Sequence, residues 1–278
     1  MKLWKQIVLA AALGAAAVGF LSGCGESGAK SGAGSAASAK EYVVATRGTY
    51  KPFAYEDDNG KLTGYEIEVL KEIEKRDPSI HFKFKEMSVS AAFVAIDAGE
   101  VDLLANQMRY TDARAKKYIY PKEVVNYSER RLLTKKDRTD INSLDDLKGK
   151  TLAFTPNGDT KPIVEKFNET ANPPITPVYT DKGAVDVMNL VLTDRADAGA
   201  VLVASAYSMI KDNNWPLRIL DQSLSYNATH FVLKKDEEHQ QLADKIDKAL
   251  KSMRDDGTLK KLSEQYLGHD YTVKPEGK

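Results

Sequence analysis

From Tyr42 to Tyr266, short apolar runs alternate with stretches whose apolar residues recur every three or four positions. Tyr42-Val43-Val44-Ala45-Thr46 reads as a strand, and the turn around Asp57-Asp58-Asn59-Gly60 precedes a helix near 65–76 with Ile67, Leu70 and Ile73 on one face. His81 to Met87 alternates polar and apolar residues as a half-buried strand does. Ala91 to Ala98 reads as a helix ended by Gly99, and Val101 to Ala105 as a buried strand. The pattern then restarts. Ser143 to Leu147 reads as a short serine-capped helix, followed by a strand (Thr151–Thr155), a helix (Lys161–Phe167), a strand (Ile175–Tyr179), a helix (Ala184–Leu192) and a strand (Ala196–Val203). Leu242, Ile246, Leu250 and Met253 form a helical stripe stopped by Asp256-Gly257, and Leu259, Leu262 and Tyr266 continue as a last helix. Strands alternating with helices predict an α/β chain with largely parallel sheets, in two similar halves without an internal sequence repeat.

The segment before this pattern reads differently. Lys2 and Lys5, an apolar run from Ile7 to Leu21 and then Leu21-Ser22-Gly23-Cys24 read as a secretory leader over residues 1–23. The run is shorter than the roughly 20 residues a membrane-spanning helix needs. Small residues followed by Cys24 look like a bacterial lipobox, which implies lipid attachment at Cys24. Residues 24–40, nearly all Gly, Ser and Ala, would then be a flexible tether. This predicts an exported chain held at the outer face of the cell membrane or in the periplasm.

The full chain balances 40 Lys+Arg against 40 Asp+Glu, and loss of the leader removes two lysines. The resulting slight acidic surplus argues against a nucleic-acid partner. Cys24 is the only cysteine, so no disulfide forms within the chain. His81, His230, His239 and His269 show no ligand spacing, so neither a metal nor another cofactor is expected. No nucleophile elbow and no glycine-rich phosphate loop occurs. The sequence carries no signal of catalysis.

Signals of binding are present. Val43 to Phe53 followed by Gly60-Lys61-Leu62-Thr63-Gly64-Tyr65-Glu66-Ile67-Glu68 resembles the opening of the polar amino-acid family of extracellular solute-binding proteins. Asp102 to Arg114 is similar to that family's ligand-carboxylate segment. Leu144 to Phe154, with Asp146-Leu147-Lys148-Gly149-Lys150, is similar to the start of its second lobe. Arg195-Ala196-Asp197-Ala198 and the closing Asp256-Gly257-Thr258-Leu259 and Leu267-Gly268-His269-Asp270 also fit. The resemblance spans about residues 42–271. It implies a two-lobed periplasmic-binding-protein fold of type II, each lobe a mostly parallel sheet flanked by helices. Lobe 1 would take 41–131 plus 228–272 and lobe 2 would take 132–227, with hinge crossings near 130–134 and 226–232. The ligand would lie in the cleft, beyond the C-terminal ends of strands.

By the same resemblance Arg114 would hold a ligand carboxylate, for which a guanidinium is matched in shape and charge; the alternative is a surface arginine paired with Asp112 or Glu123. Tyr50 would stack on the ligand, or else pack in the core, and Phe53 is expected as buried wall. The stretch Thr155 to Thr160, with Asp159 and Thr160, would open a helix whose N–H groups favour an anion.

Two departures from the family pattern bear on the ligand. Arg47 replaces an acid or small polar residue and Arg109 a small hydroxyl residue, so three arginines would surround one cleft. Buried cations without partners are costly, and a ligand with more than one carboxylate, such as cystine or an S-substituted cysteine, would resolve that. Alternatively Arg47 or Arg109 turns outward or pairs with Glu86 or Asp159. The Asn106-Gln107 pair is similar to that of cystine-type binders and adds Gln107 to the site. The second departure is Ala200-Val201-Leu202-Val203-Ala204-Ser205, which lacks the acid that many relatives use for the ligand ammonium; Asp159 or Glu86 would have to replace it.

The resemblance thus implies a monomeric substrate-binding component of an ABC importer, which closes on a small polar solute and meets a transmembrane permease. Alternatives are a ligand sensor acting through another membrane protein, or a dehydratase-like enzyme on the same scaffold, for which Glu86 is the candidate acid.

Overall fold

The computed structural model describes residues 39–274, apart from 157, 158 and 182. The leader, the lipid-attachment site Cys24 and most of the tether therefore lie outside the described residues. The first strand, β1 (Lys40–Thr46), is followed by a small antiparallel sheet of β2 (Thr49–Tyr50), β3 (Ala54–Glu56) and β4 (Leu62–Thr63). Then come α1 (Tyr65–Arg76), β5 (Ile80–Glu86), α2 (Val89–Asp97), β6 (Leu103–Arg109), the single turn α3 (Asp112–Ala115) and β7 (Asn126–Lys135). The chain continues through β8 (Thr151–Phe154), α4 (Thr160–Asn168), β9 (Thr176–Tyr179), α5 (Ala184–Leu192), β10 (Ala198–Leu202), α6 (Val203–Asn213) and β11 (Leu217–Leu233). Two helices, α7 (Glu237–Asp255) and α8 (Thr258–Leu267), close it.

Eight strands form one sheet in the order β5-β1-β6-β11-β7-β10-β8-β9. The pairs β5–β1, β1–β6, β10–β8 and β8–β9 are parallel, as strand–helix–strand connections require. The three central pairings that involve β7 or β11 are antiparallel. Strand β11 pairs with β6 from Thr229 to Leu233 and with β7 along most of its length, so these two strands tie one half of the sheet to the other.

The apolar stripes read from sequence become the core. Leu242, Ile246, Leu250 and Met253 of α7 pack with Leu70 and Ile73 of α1 and with Leu103 and Phe231. Leu132, Leu152, Phe154 and Ala200 form a separate cluster in the other half of the sheet. Burying each large aliphatic side chain contributes about 1.5–3 kcal/mol. Helix α1 begins at Gly64, where φ is 116° and an added Cβ would lie 2.5 Å from the Phe53 carbonyl oxygen. Only glycine fits that approach of backbone to backbone.

Two local readings change. Ser143 does not cap a helix. The Asp146 carboxylate instead accepts the Asn142 and Ser143 N–H groups, both at 2.9 Å, and a 3₁₀ turn forms over Asp145–Leu147 with Leu144 at its N-cap. Helix α6 and the first half of β11 arise where the sequence shows no clear period. Packing of Val203, Ala204 and Ala206 against neighbouring elements fixes α6 despite its interspersed Ser205, Tyr207 and Ser208.

Candidate ligand-binding site

Strand ends converge on one place. The chain leaving β1 presents Arg47, β2 presents Tyr50, and β6 ends at Arg109. The middle of β7 supplies Arg130 and the chain after β8 supplies Thr155, while Asp159 begins α4 and Leu202 ends β10. Two adjoining cavities, of about 280 and 210 Å³, share Arg47, Tyr50, Arg130, Thr155 and Leu202. The larger is also bordered by Gln107, Arg109, Asp159 and Asn227, and the smaller by Gly183, Ala184 and Ser205.

Arg47 lies over the Tyr50 ring, its Cζ 3.7 Å from the centroid. Its Nε is buried and has no hydrogen-bond partner. Such an orphaned donor costs about 1–3 kcal/mol, more when it is charged. Burial pushes the Tyr50 phenol up, against the pull of Arg47 and Arg130. Tyr50 also packs on Phe53, with ring centroids 5.0 Å apart, and Phe53 itself is fully buried.

Asp159 is the hub of the larger cavity. It accepts from Arg130 Nε at 2.8 Å and from Asn227 Nδ2 at 2.8 Å, and it also accepts from the Ser225 hydroxyl. Arg109 Nη1 stands 3.6 Å from its Oδ2. Burial works against ionisation here, yet Arg130, Ser225 and Arg109 together hold the Asp159 carboxyl below the usual carboxylate range. An ionised Asp159 already surrounded by donors is poorly placed to bind a ligand ammonium.

Behind the cavity, Glu66 is 1% exposed and accepts the Gln107 N–H with both oxygens, at 3.0 and 3.2 Å. Burial, opposed by the Gln107 bonds and Arg47, raises its pKa to about 7. Gln107 sits at φ 53°, a left-handed conformation rare for a residue with a side chain, and its amide exchanges bonds of 3.0 and 3.1 Å with Asn126. Those bonds fix Gln107 as part of the wall.

Of the residues expected from sequence, Arg47, Tyr50, Gln107, Arg109 and Asp159 border the cavities. Arg114 borders neither; its Cζ lies 5.2 Å from the Phe93 ring centroid. Thr160 is buried in the first turn of α4 and does not border them. Asn157 and Gly158 lie outside the described residues. Glu86 is exposed at the end of β5, beside Gly48. Sequence reasoning missed Arg130, Asn227, Ser205 and Glu66. The run Glu129-Arg130-Arg131 at an expected hinge crossing was the available signal for the first. Among the described residues, no group of three or more His, Cys, Asp or Glu side chains is placed to hold a metal ion.

A cavity between two α/β halves, walled by cations and an aromatic ring, is suited to a small solute. The chain belongs to the bacterial extracellular solute-binding proteins, family 3, whose family model matches residues 42–269. It has the type II periplasmic-binding fold, and it is a binding protein and not an enzyme. It is 33% identical over 255 residues to the L-cystine-binding protein TcyK of Bacillus subtilis, covering 91% of this chain and 92% of the relative. It is 34% identical over 279 residues to the probable amino-acid-binding protein YxeM of the same organism, covering 98% of each. The crystal structure of the probable amino-acid ABC transporter extracellular-binding protein ytmK from Bacillus subtilis superposes with a TM-score of 0.78 at 32% identity, covering 84% of this chain and all of that one.

Proposed function

We propose that the protein is the substrate-binding component of an ABC importer, and that it captures an amino-acid-like solute with more than one carboxylate, cystine or an S-substituted cysteine being the model. The observation that carries this is the unpartnered, buried Nε of Arg47 in a cleft that also holds Arg109 and Arg130. One acid end lies against Arg109 and the other against Arg47, with Tyr50 beneath the ligand's middle. Gln107 and Asp159 shape the wall, and Thr160 contributes the first turn of α4. Arg114 takes the carboxylate-binding role of its motif, and from its place over Phe93 it must move to reach the cavity.

The lobes of this reading are 41–131 plus 228–272 and 132–227. Apart from Val203 and Ala204, which pack into the core of the first lobe, the buried clusters follow that division and so support it. Capture proceeds by hinge closure, because only the closed form makes both sets of contacts. Export behind a cleaved leader, a lipid on Cys24, a monomeric state and docking to a transmembrane permease belong to the same reading; relatives named as amino-acid- and cystine-binding proteins support its transport part.

A thermal-shift screen of amino acids, cystine, S-substituted cysteines and dicarboxylates tests the ligand class, since a ligand that binds only the folded state raises its melting temperature. The largest shifts are expected from molecules with two carboxylates. Largest shifts from neutral monocarboxylate amino acids, with none from diacids, contradict the proposal.

A further inference from the structure

Among the described residues, the lining of the smaller cavity, of about 210 Å³, includes Arg47 and Arg130 and no carboxylate. Arg130, which bonds Asp159 through its Nε, lines both cavities. Two helices also begin at the cavity. Helix α5 starts after Gly183 and α6 after Leu202, and neither N-cap residue provides a side-chain acceptor for the first-turn N–H groups. Asp186, in the first turn of α5, is bonded to the Thr180 hydroxyl at 2.5 Å. Uncapped first turns carry orphan donors and a partial positive charge. Two guanidinium groups, two helix starts and a buried donor without an acceptor thus surround a space that no acid lines among the described residues.

We propose that this smaller cavity is a second anion subsite, which takes the distal carboxylate of a two-ended ligand, with Arg130 as the residue that selects for that acid. The inference rests on the proposed binding function and assigns the far acid a position. One carboxylate occupies the Arg109 side of the cleft. The other sits between Arg47, Arg130 and the starts of α5 and α6. Leu202 borders both cavities, so the ligand's midsection passes over it.

An acid placed at either helix start would occupy the subsite's charge without harming the helix, because carboxylates suit first turns. Leu202→Asp and Ala184→Asp are therefore compared with Leu202→Asn and Ala184→Asn by calorimetric titration with L-cystine and with S-methyl-L-cysteine, which has one carboxylate. Each Asp variant is expected to bind L-cystine at least tenfold more weakly than its Asn counterpart, while S-methyl-L-cysteine distinguishes the members of a pair by less than twofold. A loss below tenfold for L-cystine, or an equal loss for both ligands, overturns the subsite. Failure of the unmodified protein to bind L-cystine and other diacids overturns the proposed function and this inference with it. Agreement from either pair suffices if one variant fails to fold.

Discussion

The Arg47 guanidinium rests 3.7 Å above the Tyr50 ring with its Nε buried and unbonded, so the ligand-free protein holds a cation whose best partner is a face of π electrons. In the proposed reading an anionic ligand group supplies the missing acceptor. Arg47→Met is expected to lower L-cystine affinity at least tenfold and to leave the ligand-free melting temperature unchanged or higher, since it removes an unsatisfied donor worth about 1–3 kcal/mol. A large drop in ligand-free stability would assign Arg47 a structural role.

Asp159 is different, because its partners depend on it. Asp159→Asn strands Arg130, and is expected to destabilise the ligand-free protein by about 2–4 kcal/mol in urea melts. The folded-state pKa of Asp159 is depressed. Its contribution is therefore present above the ordinary carboxylate range and lost as pH falls through the lower folded value. The stability gap between the native chain and the Asn variant should close on acidification; a gap independent of pH would show that the charge is not what holds Arg130.

Glu66 shifts the opposite way. With a folded pKa of about 7, its contribution is whole below the unfolded carboxylate range and lost as pH rises through 7. Glu66→Gln keeps an acceptor for the Gln107 N–H without the buried charge. Moving from about pH 5 to about pH 8, the variant should gain on the native chain by on the order of 2 kcal/mol. Parallel pH profiles would contradict a buried neutral carboxyl at low pH.

His239 is 3% exposed and lies between Asp102 Oδ1, 2.9 Å from its Nε2, and Asp236 Oδ1, 2.5 Å from its Nδ1. Burial disfavours its charge, but the two carboxylates outweigh burial and raise its pKa. Asp102 also accepts the Val43 N–H at 2.7 Å, so the imidazolium joins α7 to strand β1 of the sheet. Its stabilisation is complete below the unfolded histidine value and fades as pH climbs through the raised folded value. The stability advantage over His239→Gln should be largest near pH 5.5 and decline above about pH 7; an advantage that grows with pH would reverse this assignment.

The parts legible in sequence were those with a local cause. The stripes of α1 and α7, the stop at Gly257 and the alternation of β5 follow from period and turn chemistry, and they stand where expected. Arg47, Arg109 and Asp159 were singled out by motif position, and the structure brings them to one cleft. Arg130 and Asn227 were not, because they reach the cavity only through the long antiparallel pairing of β7 with β11, a contact between residues about a hundred positions apart. The 3₁₀ turn at Asp145–Leu147 was misread for a nearer reason: the Ser143 hydroxyl donates to the Asp146 carboxylate, which also takes the Ser143 N–H, and so does not serve as a cap. No local pattern reports how a side chain three residues on will divide its bonds.

The acid-pair reading is tested most directly by the ratio of dissociation constants for L-cystine and S-methyl-L-cysteine, measured by titration calorimetry on the unmodified protein at one pH and salt concentration. Two carboxylates held by separate sets of arginines should make L-cystine bind at least 100-fold tighter, about 2.7 kcal/mol. Equal affinities, or tighter binding of S-methyl-L-cysteine, would mean that the cleft reads a single acid and that its additional arginines do other work.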